Sequence, residues 1–244
     1  MLIGFPIPEV TSRTGIRPTT ISVAAGLFVI ILSALSNPAQ ARTDKKCLDS
    51  QVVPEISFRI KNSKVTLNRS KSSAQIKRFA SRVNAYKPTI KGRLLGLAYT
   101  EVQRRLGVHI GDTRIGENKP CIRLQKVQFE FGLTKSEIFI DRKYKPGTCA
   151  YNAILAHERE HMQINNRLME KYAVKIEEDL VKHAKAVRPF YASNSKQATK
   201  SIVNDLLHRL KPRINEFKKE RAVANQKIDT PRSYKKVRSR CANW

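Results

Sequence analysis

Apolar and polar residues alternate along the early part of the chain in the pattern of half-buried β-strands. Ile56, Phe58 and Ile60 alternate with polar residues, and Val65 and Leu67 follow after a short polar segment. This spacing predicts two neighbouring strands that pair with each other through a turn.

Further elements are predicted between these strands and the middle of the chain. Apolar residues have helical spacing over residues 76–83, whereas residues 94–108 are ambiguous between helix and strand. Alternation returns over residues 127–131, and a turn containing Gly132 then leads to another strand over residues 136–141.

The second half of the chain has helical periodicity. Thr148 is a suitable N-cap, and apolar residues recur every three or four positions to about Val187. A second helical pattern follows a turn centred near Tyr191 and is interrupted by Pro212. We therefore expect an α+β protein in which a small antiparallel sheet precedes a long helix and a C-terminal helical hairpin.

The N-terminus has the pattern of an export signal. The uncharged apolar run of residues 21–35 follows two arginines and leads to small residues that end at Ala41. We expect residues 1–41 to be a signal peptide cleaved after Ala41, and the protein to be periplasmic or secreted. An uncleaved inner-membrane anchor is disfavoured because a spanning helix needs about 20 apolar residues. Residues 42–147 would then be β-rich and residues 148–244 helical, together forming one compact domain.

The cysteines all follow the predicted cleavage point. Their even number, in an oxidising compartment, predicts two disulfide bonds. Three pairings can be drawn, and the spacings do not choose among them. The residues are Cys47, Cys121, Cys149 and Cys241.

The long predicted helix carries an HExxH motif at residues 157–161. Residues four apart share one face of a helix, so His157 and His161 can reach a single metal ion. Zinc suits two neutral imidazoles with a third protein ligand and an open position for water. Glu158 adjoins that position, and its expected role is that of a general base. The motif thus predicts Zn²⁺ as cofactor, two histidine ligands and one catalytic glutamate.

With this motif on a helix that follows a strand, the chain resembles the zincin metallopeptidases. More loosely, it resembles the secreted zinc-dependent proteases of Gram-negative bacteria. The resemblance covers about residues 121–172. It implies a zincin-like fold and an enzyme that hydrolyses peptide bonds in a peptide or protein substrate. In zincins the strand before the active helix is an edge strand that pairs with extended substrate, which would assign that role to residues 136–141.

The motif leaves the third zinc ligand open. The downstream Gly and His of the metzincins are not present in the sequence. If the two long helices pack antiparallel about the predicted turn, His161 lies level with about Arg221. Glu220 is then the preferred third ligand, with Asn225 and Asp229 as the other candidates. Glu220 could instead be a solvated surface carboxylate, and Asp229 a helix cap.

The charge of the chain points to a different class of partner. The sequence contains 47 Lys and Arg against 20 Asp and Glu, a formal net charge of +27. Residues 56–100 contain 11 basic and no acidic residues, and residues 230–244 contain five basic and no acidic residues. Such stretches favour binding to an anionic envelope polymer or lipid surface. Nucleic acid is disfavoured because the protein is predicted to be exported and no regular aromatic interleaving offers stacking platforms.

Two functions follow from these observations. The first is a secreted zinc-dependent metallopeptidase. A zincin-like protein without catalytic activity would carry the same motif. The alternative is a non-catalytic, basic envelope-binding protein of the periplasm. Separately, the two histidines could be ordinary polar residues on an exposed helix face. The sequence does not indicate an oligomeric state.

Overall fold

The computed structural model describes residues 45–83, 94–114 and 120–244. The proposed signal peptide, residues 1–41, lies outside these ranges. A single helical turn at residues 45–48 begins the described chain. The elements that follow are β1 (Glu55–Asn62), β2 (Val65–Asn68), α1 (Ser73–Arg82), β3 (Gly96–Arg114), β4 (Pro120–Ile140), α2 (Cys149–Lys185), β5 (Phe190–Tyr191), α3 (Ser195–Ile228) and α4 (Pro231–Arg238).

β4 is the central strand of a mixed five-stranded sheet. Along one side β4 pairs antiparallel with the whole of β3. On its other side β1 and β2 run parallel to it, one after the other, and β5 pairs antiparallel with its first residues. The expected small antiparallel sheet is therefore wrong.

β1 and β2 each pair with β4 and not with each other. Between them the N–H of Ser63 donates to the backbone oxygen of Leu133 at 3.0 Å, so the chain continues along β4 without reversing. Alternating apolar residues show that a segment is a strand and which of its faces is buried, but not the direction of its partner. The short polar segment between the two strands was expected to form a turn, but it continues along β4 instead.

Gly132 lies within β4, where a turn was expected. Its φ is +156°, and a Cβ there would overlap the backbone of Lys61 on β1. The glycine thus allows β1 and β4 to approach closely at this point. The two strands predicted on either side of Gly132 are one continuous strand.

The core lies mainly between the sheet and the paired helices α2 and α3. Alternate residues of β4 point into it, because side chains along a strand alternate between the two faces of a sheet. The main contributors are Val127, Phe129 and Phe131 of β4, Leu168, Met169 and Ile176 of α2, and Leu206, Leu210 and Phe217 of α3. α1 packs through Ile76 and Ala80 against Leu97, Tyr99 and Phe139.

The two long helices form in the places that their periodicity predicts. Thr148 caps α2 by accepting a hydrogen bond from the N–H of Tyr151, and the 37 residues of the helix extend about 55 Å. α3 continues through Pro212, where an interruption was expected. Proline removes one backbone hydrogen bond, but Leu210 and Ile214 on either side of it are buried in the core and hold the helix together.

The two disulfide bonds join Cys47 to Cys121 and Cys149 to Cys241. This is one of the three arrangements that the sequence allows. The first attaches the beginning of the described chain to the start of β4. The second attaches the C-terminal tail to the start of α2. Such bonds are consistent with an extracytoplasmic protein. Within the described ranges, no helix is both long enough and apolar enough to cross a membrane.

Candidate metal centre

His157 and His161 lie one turn apart on the inward face of α2. Their rings are nearly perpendicular, with centroids 4.9 Å apart. The two residues are only 4% and 0% exposed. This burial excludes the alternative in which the pair belongs to an exposed helix face.

Asp229 brings a third side chain to the histidines. Its Oδ1 lies 3.2 Å from His157 Nε2 and 3.1 Å from His161 Nε2. One ligand atom from each of the three residues can be chosen so that all lie within 4.8 Å of one another. The three side chains therefore form a group that could bind a metal ion.

The position of Asp229 follows from the helix ends around it. Asp229 is the C-cap of α3, and Thr230 directly after it is the N-cap of α4, where it forms a capping box with Ser233. Pro231 begins α4, as expected of a proline in the first turn of a helix. From the same short helix, the hydroxyl of Tyr234 donates to Asp229 Oδ1 at 2.8 Å. Asp229 is thus both the helix cap and the third member of the cluster.

Glu220, the preferred third ligand, lies outside this cluster. Its carboxylate accepts hydrogen bonds from Lys171 at 2.7 Å and from the hydroxyl of Tyr172 at 2.6 Å. These contacts hold the pKa of Glu220 below its ordinary value, the bond from Lys171 being the largest cause. Glu220 is the partly exposed carboxylate of an ion pair, which is the alternative that the sequence left open.

The register of the two helices explains why Glu220 lies outside the cluster. His161 was expected to lie level with Arg221, but its Nδ1 lies 2.8 Å from Oδ1 of Asn225. The difference is four residues, about 6 Å along a helix. The connection between the helices contains β5, which pairs with β4, and this pairing fixes where α3 begins. Asn225, also a candidate ligand, lies behind His161 and contacts the ring nitrogen that faces away from Asp229.

The pKa values of the two buried carboxylates are shifted in opposite directions. Desolvation is the largest influence on Asp229 and opposes its ionisation, but hydrogen bonds with His157, His161 and Tyr234 outweigh it and the pKa of Asp229 is lowered. Desolvation raises the pKa of the fully buried Glu158 well above its usual value, and the negative charge of Asp229 adds to the effect. Asp229 is thus suited to binding a cation, whereas Glu158 beside it takes up a proton readily.

Three buried carboxylate oxygens at the centre lack a hydrogen bond of ordinary geometry within the described part of the chain. Glu158 Oε1, Glu158 Oε2 and Asp229 Oδ2 receive no hydrogen bond of ordinary geometry from the described residues, although the Ala98 backbone amide lies close enough to lower the pKa of Glu158. Unpaired buried carboxylate oxygens are costly, and a metal ion with its water would satisfy them.

The separations within the cluster also suit a metal ion. Ligands about 2.0 Å from a tetrahedral zinc ion lie about 3.3 Å apart. The distances of 3.1 and 3.2 Å from Asp229 to the two histidines are close to this value. These two separations are compatible with the ion that the motif implies, and all three ligand atoms lie within 4.8 Å of one another.

Glu158 packs against β3. Residues 136–141, expected to be an edge strand, belong to the central strand β4 and its end, and β4 is paired there with both β2 and β3. That expectation is wrong. β3 lies beside α2 through Gly96, where an added Cβ would overlap the Glu158 carboxylate, and through Ala98.

Sequence reasoning missed Gly96 and Tyr234, which contact the centre from β3 and α4. Tyr234 had a signal, because Asp229 was a candidate helix cap and Tyr234 lies about one helical turn after it. Gly96 had none, because its contact with Glu158 spans more than 60 residues and lies in a segment of ambiguous periodicity.

Comparisons of the chain with family models, with curated proteins and with solved structures find no match. The group of residues that could bind a metal ion is therefore identified from its own geometry and from the HExxH motif.

Proposed function

We propose that this protein is a secreted or periplasmic zinc-dependent metallopeptidase. The observation that carries the proposal is the buried cluster of His157, His161 and Asp229 with Glu158 beside it. Two imidazoles and one carboxylate are a ligand set that zinc favours, and three protein ligands leave a fourth position open. The two disulfides support an oxidising compartment.

Each residue has a distinct role in this proposal. His157, His161 and Asp229 hold the ion, and Tyr234 holds the Asp229 carboxylate by its hydrogen bond. Bound zinc supplies Lewis acidity, which polarises a peptide carbonyl and lowers the pKa of water. Glu158 takes the proton of the attacking water on a carboxylate oxygen and passes it to the leaving amine. Burial raises the pKa of Glu158 above its usual value, which favours the carboxylate holding the proton between the two transfers.

Substrate must also reach the centre. His157, Glu158, His161 and Asp229 are between 0 and 9% exposed. A peptide bond can contact these residues only after a neighbouring segment has moved. The proposed enzyme therefore opens before it binds substrate.

The experiment that tests the proposal replaces Glu158 and leaves the ligands in place. Glu158→Gln should retain zinc but lose hydrolysis of a mixture of unstructured peptides, because an amide does not accept the proton. Glu160→Gln is the matched control, since Glu160 is an exposed glutamate of the same motif. Cleavage is measured by mass spectrometry and zinc by elemental analysis. Peptide hydrolysis that survives Glu158→Gln would refute the assigned mechanism.

The net charge favours a second function, that of a basic envelope-binding protein. Removing residues 1–41, which contain two Arg and one Glu, leaves a charge of +27 minus 1, or +26. Co-sedimentation with phosphatidylglycerol vesicles that weakens as salt rises would support this function. Glu158→Gln should leave such binding unchanged. Retention of this kind, without zinc or cleavage, would favour the alternative over the metallopeptidase.

A further inference from the structure

A chain of buried polar side chains continues from His161 away from the metal cluster. His161 Nδ1 contacts Oδ1 of Asn225 at 2.8 Å, and Nδ2 of Asn225 contacts Oδ1 of Asn165 at 3.0 Å. The same Asn165 oxygen accepts from Nε of Arg221 at 2.9 Å, and Nη2 of Arg221 reaches the hydroxyl of Thr100 on β3. All five residues are at most 2% exposed. The chain thus connects α2, α3 and β3 behind the candidate ligand.

Two of its members fix the orientation of the Asn225 amide. The backbone oxygen of Arg221 can only accept, and it lies 2.8 Å from Nδ2 of Asn225. The Arg221 guanidinium can only donate, so the Asn165 atom that it contacts is the amide oxygen, and that oxygen also accepts from Nδ2 of Asn225. Burial lowers the pKa of Arg221 to about 10, which leaves the guanidinium protonated at neutral pH. The oxygen of Asn225 must therefore face His161.

This orientation determines where His161 carries its proton. An amide oxygen accepts hydrogen bonds, so Nδ1 of His161 must donate and must be protonated. In the neutral ring, Nε2 then presents its lone pair to the Asp229 oxygen 3.1 Å away. Two electron-rich atoms at that distance require a cation between them, and a metal ion is one such cation. Metal-binding histidines commonly donate their second ring N–H to a carbonyl or carboxylate oxygen in this way.

We propose that Asn225 is a positioning residue whose amide is oriented by hydrogen bonds to Asn165 and to the backbone oxygen of Arg221. It fixes the Nδ1–H tautomer of His161 and thereby sets the affinity of the centre for its metal ion. The effect on affinity rests on the proposed function. The effect on the tautomer does not, because the hydrogen bonds that impose it are made in the absence of metal.

The test measures the tautomer and the zinc affinity separately. Long-range ¹H–¹⁵N spectra of the imidazole rings, recorded at a pH at which the His161 ring is neutral and with that ring assigned from the His161→Gln variant, should show metal-free wild-type protein with the proton on Nδ1. Asn225→Ala should lose this preference, and zinc affinity measured by competition with a chelator should fall by about 10- to 100-fold. Gln226→Ala, an exposed neighbour on α3, should change neither.

Either of two results would overturn the positioning role. One is a neutral His161 protonated on Nε2 in the wild type, which requires no variant to fold. The other is a folded Asn225→Ala protein with unchanged His161 signals and zinc affinity. A wild type that shows the expected tautomer but binds no zinc would contradict the metallopeptidase proposal while supporting the role of Asn225 in fixing the ring.

Discussion

Gly96 makes room for the proposed general base. A Cβ added at Gly96 would overlap a carboxylate oxygen of Glu158 and lie 2.7 Å from Ile154 Cγ2, and both partners are fully buried on α2. Real Cβ atoms do not approach other atoms so closely, so β3 or α2 would have to shift. The lack of a side chain on β3 is thus part of the construction of the site.

Gly96→Ala should therefore damage both stability and the site. Overpacking of this kind costs about 1–3 kcal/mol, and the displaced Glu158 should reduce peptide hydrolysis. Urea unfolding and the peptide cleavage assay measure the two effects. Gly107→Ala is the matched control on the same strand, because an added Cβ there meets nothing within 4 Å. Equal unfolding midpoints for the two variants would show that β3 does not pack on Glu158 as described.

At the scale of the elements, the helices were predictable and the pairing of the strands was not. Thr148 and Thr230 cap helices through contacts within three residues, so the signal lies in the local sequence. The direction of β2 depends on contacts with β4 about 70 residues away, which alternation does not encode. The register of α2 and α3 was wrong by one turn because the pairing of β5 with β4 sets it.

The Cys149–Cys241 bond connects two elements that build the centre. Cys149 begins the helix that carries the histidines, and Cys241 follows α4, which carries Tyr234. This bond therefore holds α4 and the adjoining Asp229 against α2. Cys47–Cys121 lies at the end of β4 that pairs with β5, far from the HExxH turn of α2.

Removing each disulfide should separate stability from metal binding. Changing Cys149 and Cys241 to Ala should lower the free energy of unfolding by about 2–4 kcal/mol and also weaken zinc binding, because Asp229 loses its tether. Changing Cys47 and Cys121 to Ala should lower stability alone. Zinc affinity and urea unfolding of both double variants are measured together. Equal zinc affinities would contradict a role for α4 in holding the centre.

At the scale of the whole molecule, the proposed centre joins parts of the chain that lie far apart. Asp229 is 72 residues from His157 and 68 from His161. The sequence alone could identify the two histidines and Glu158, because their spacing fits one face of a single helix. It could offer Asp229 only as one of three candidates, because the choice depended on the helical register. The large positive charge is separate from this buried site.

Zinc content is the most direct test of the central claim. The purified protein should contain one zinc ion per chain by elemental analysis, and Asp229→Ala should lose it. Glu220→Ala should retain the ion, because Glu220 is occupied by Lys171 and Tyr172 at the surface. A wild-type protein that binds no zinc even when zinc is supplied, or a stoichiometric ion that survives Asp229→Ala and is lost in Glu220→Ala, would contradict the account.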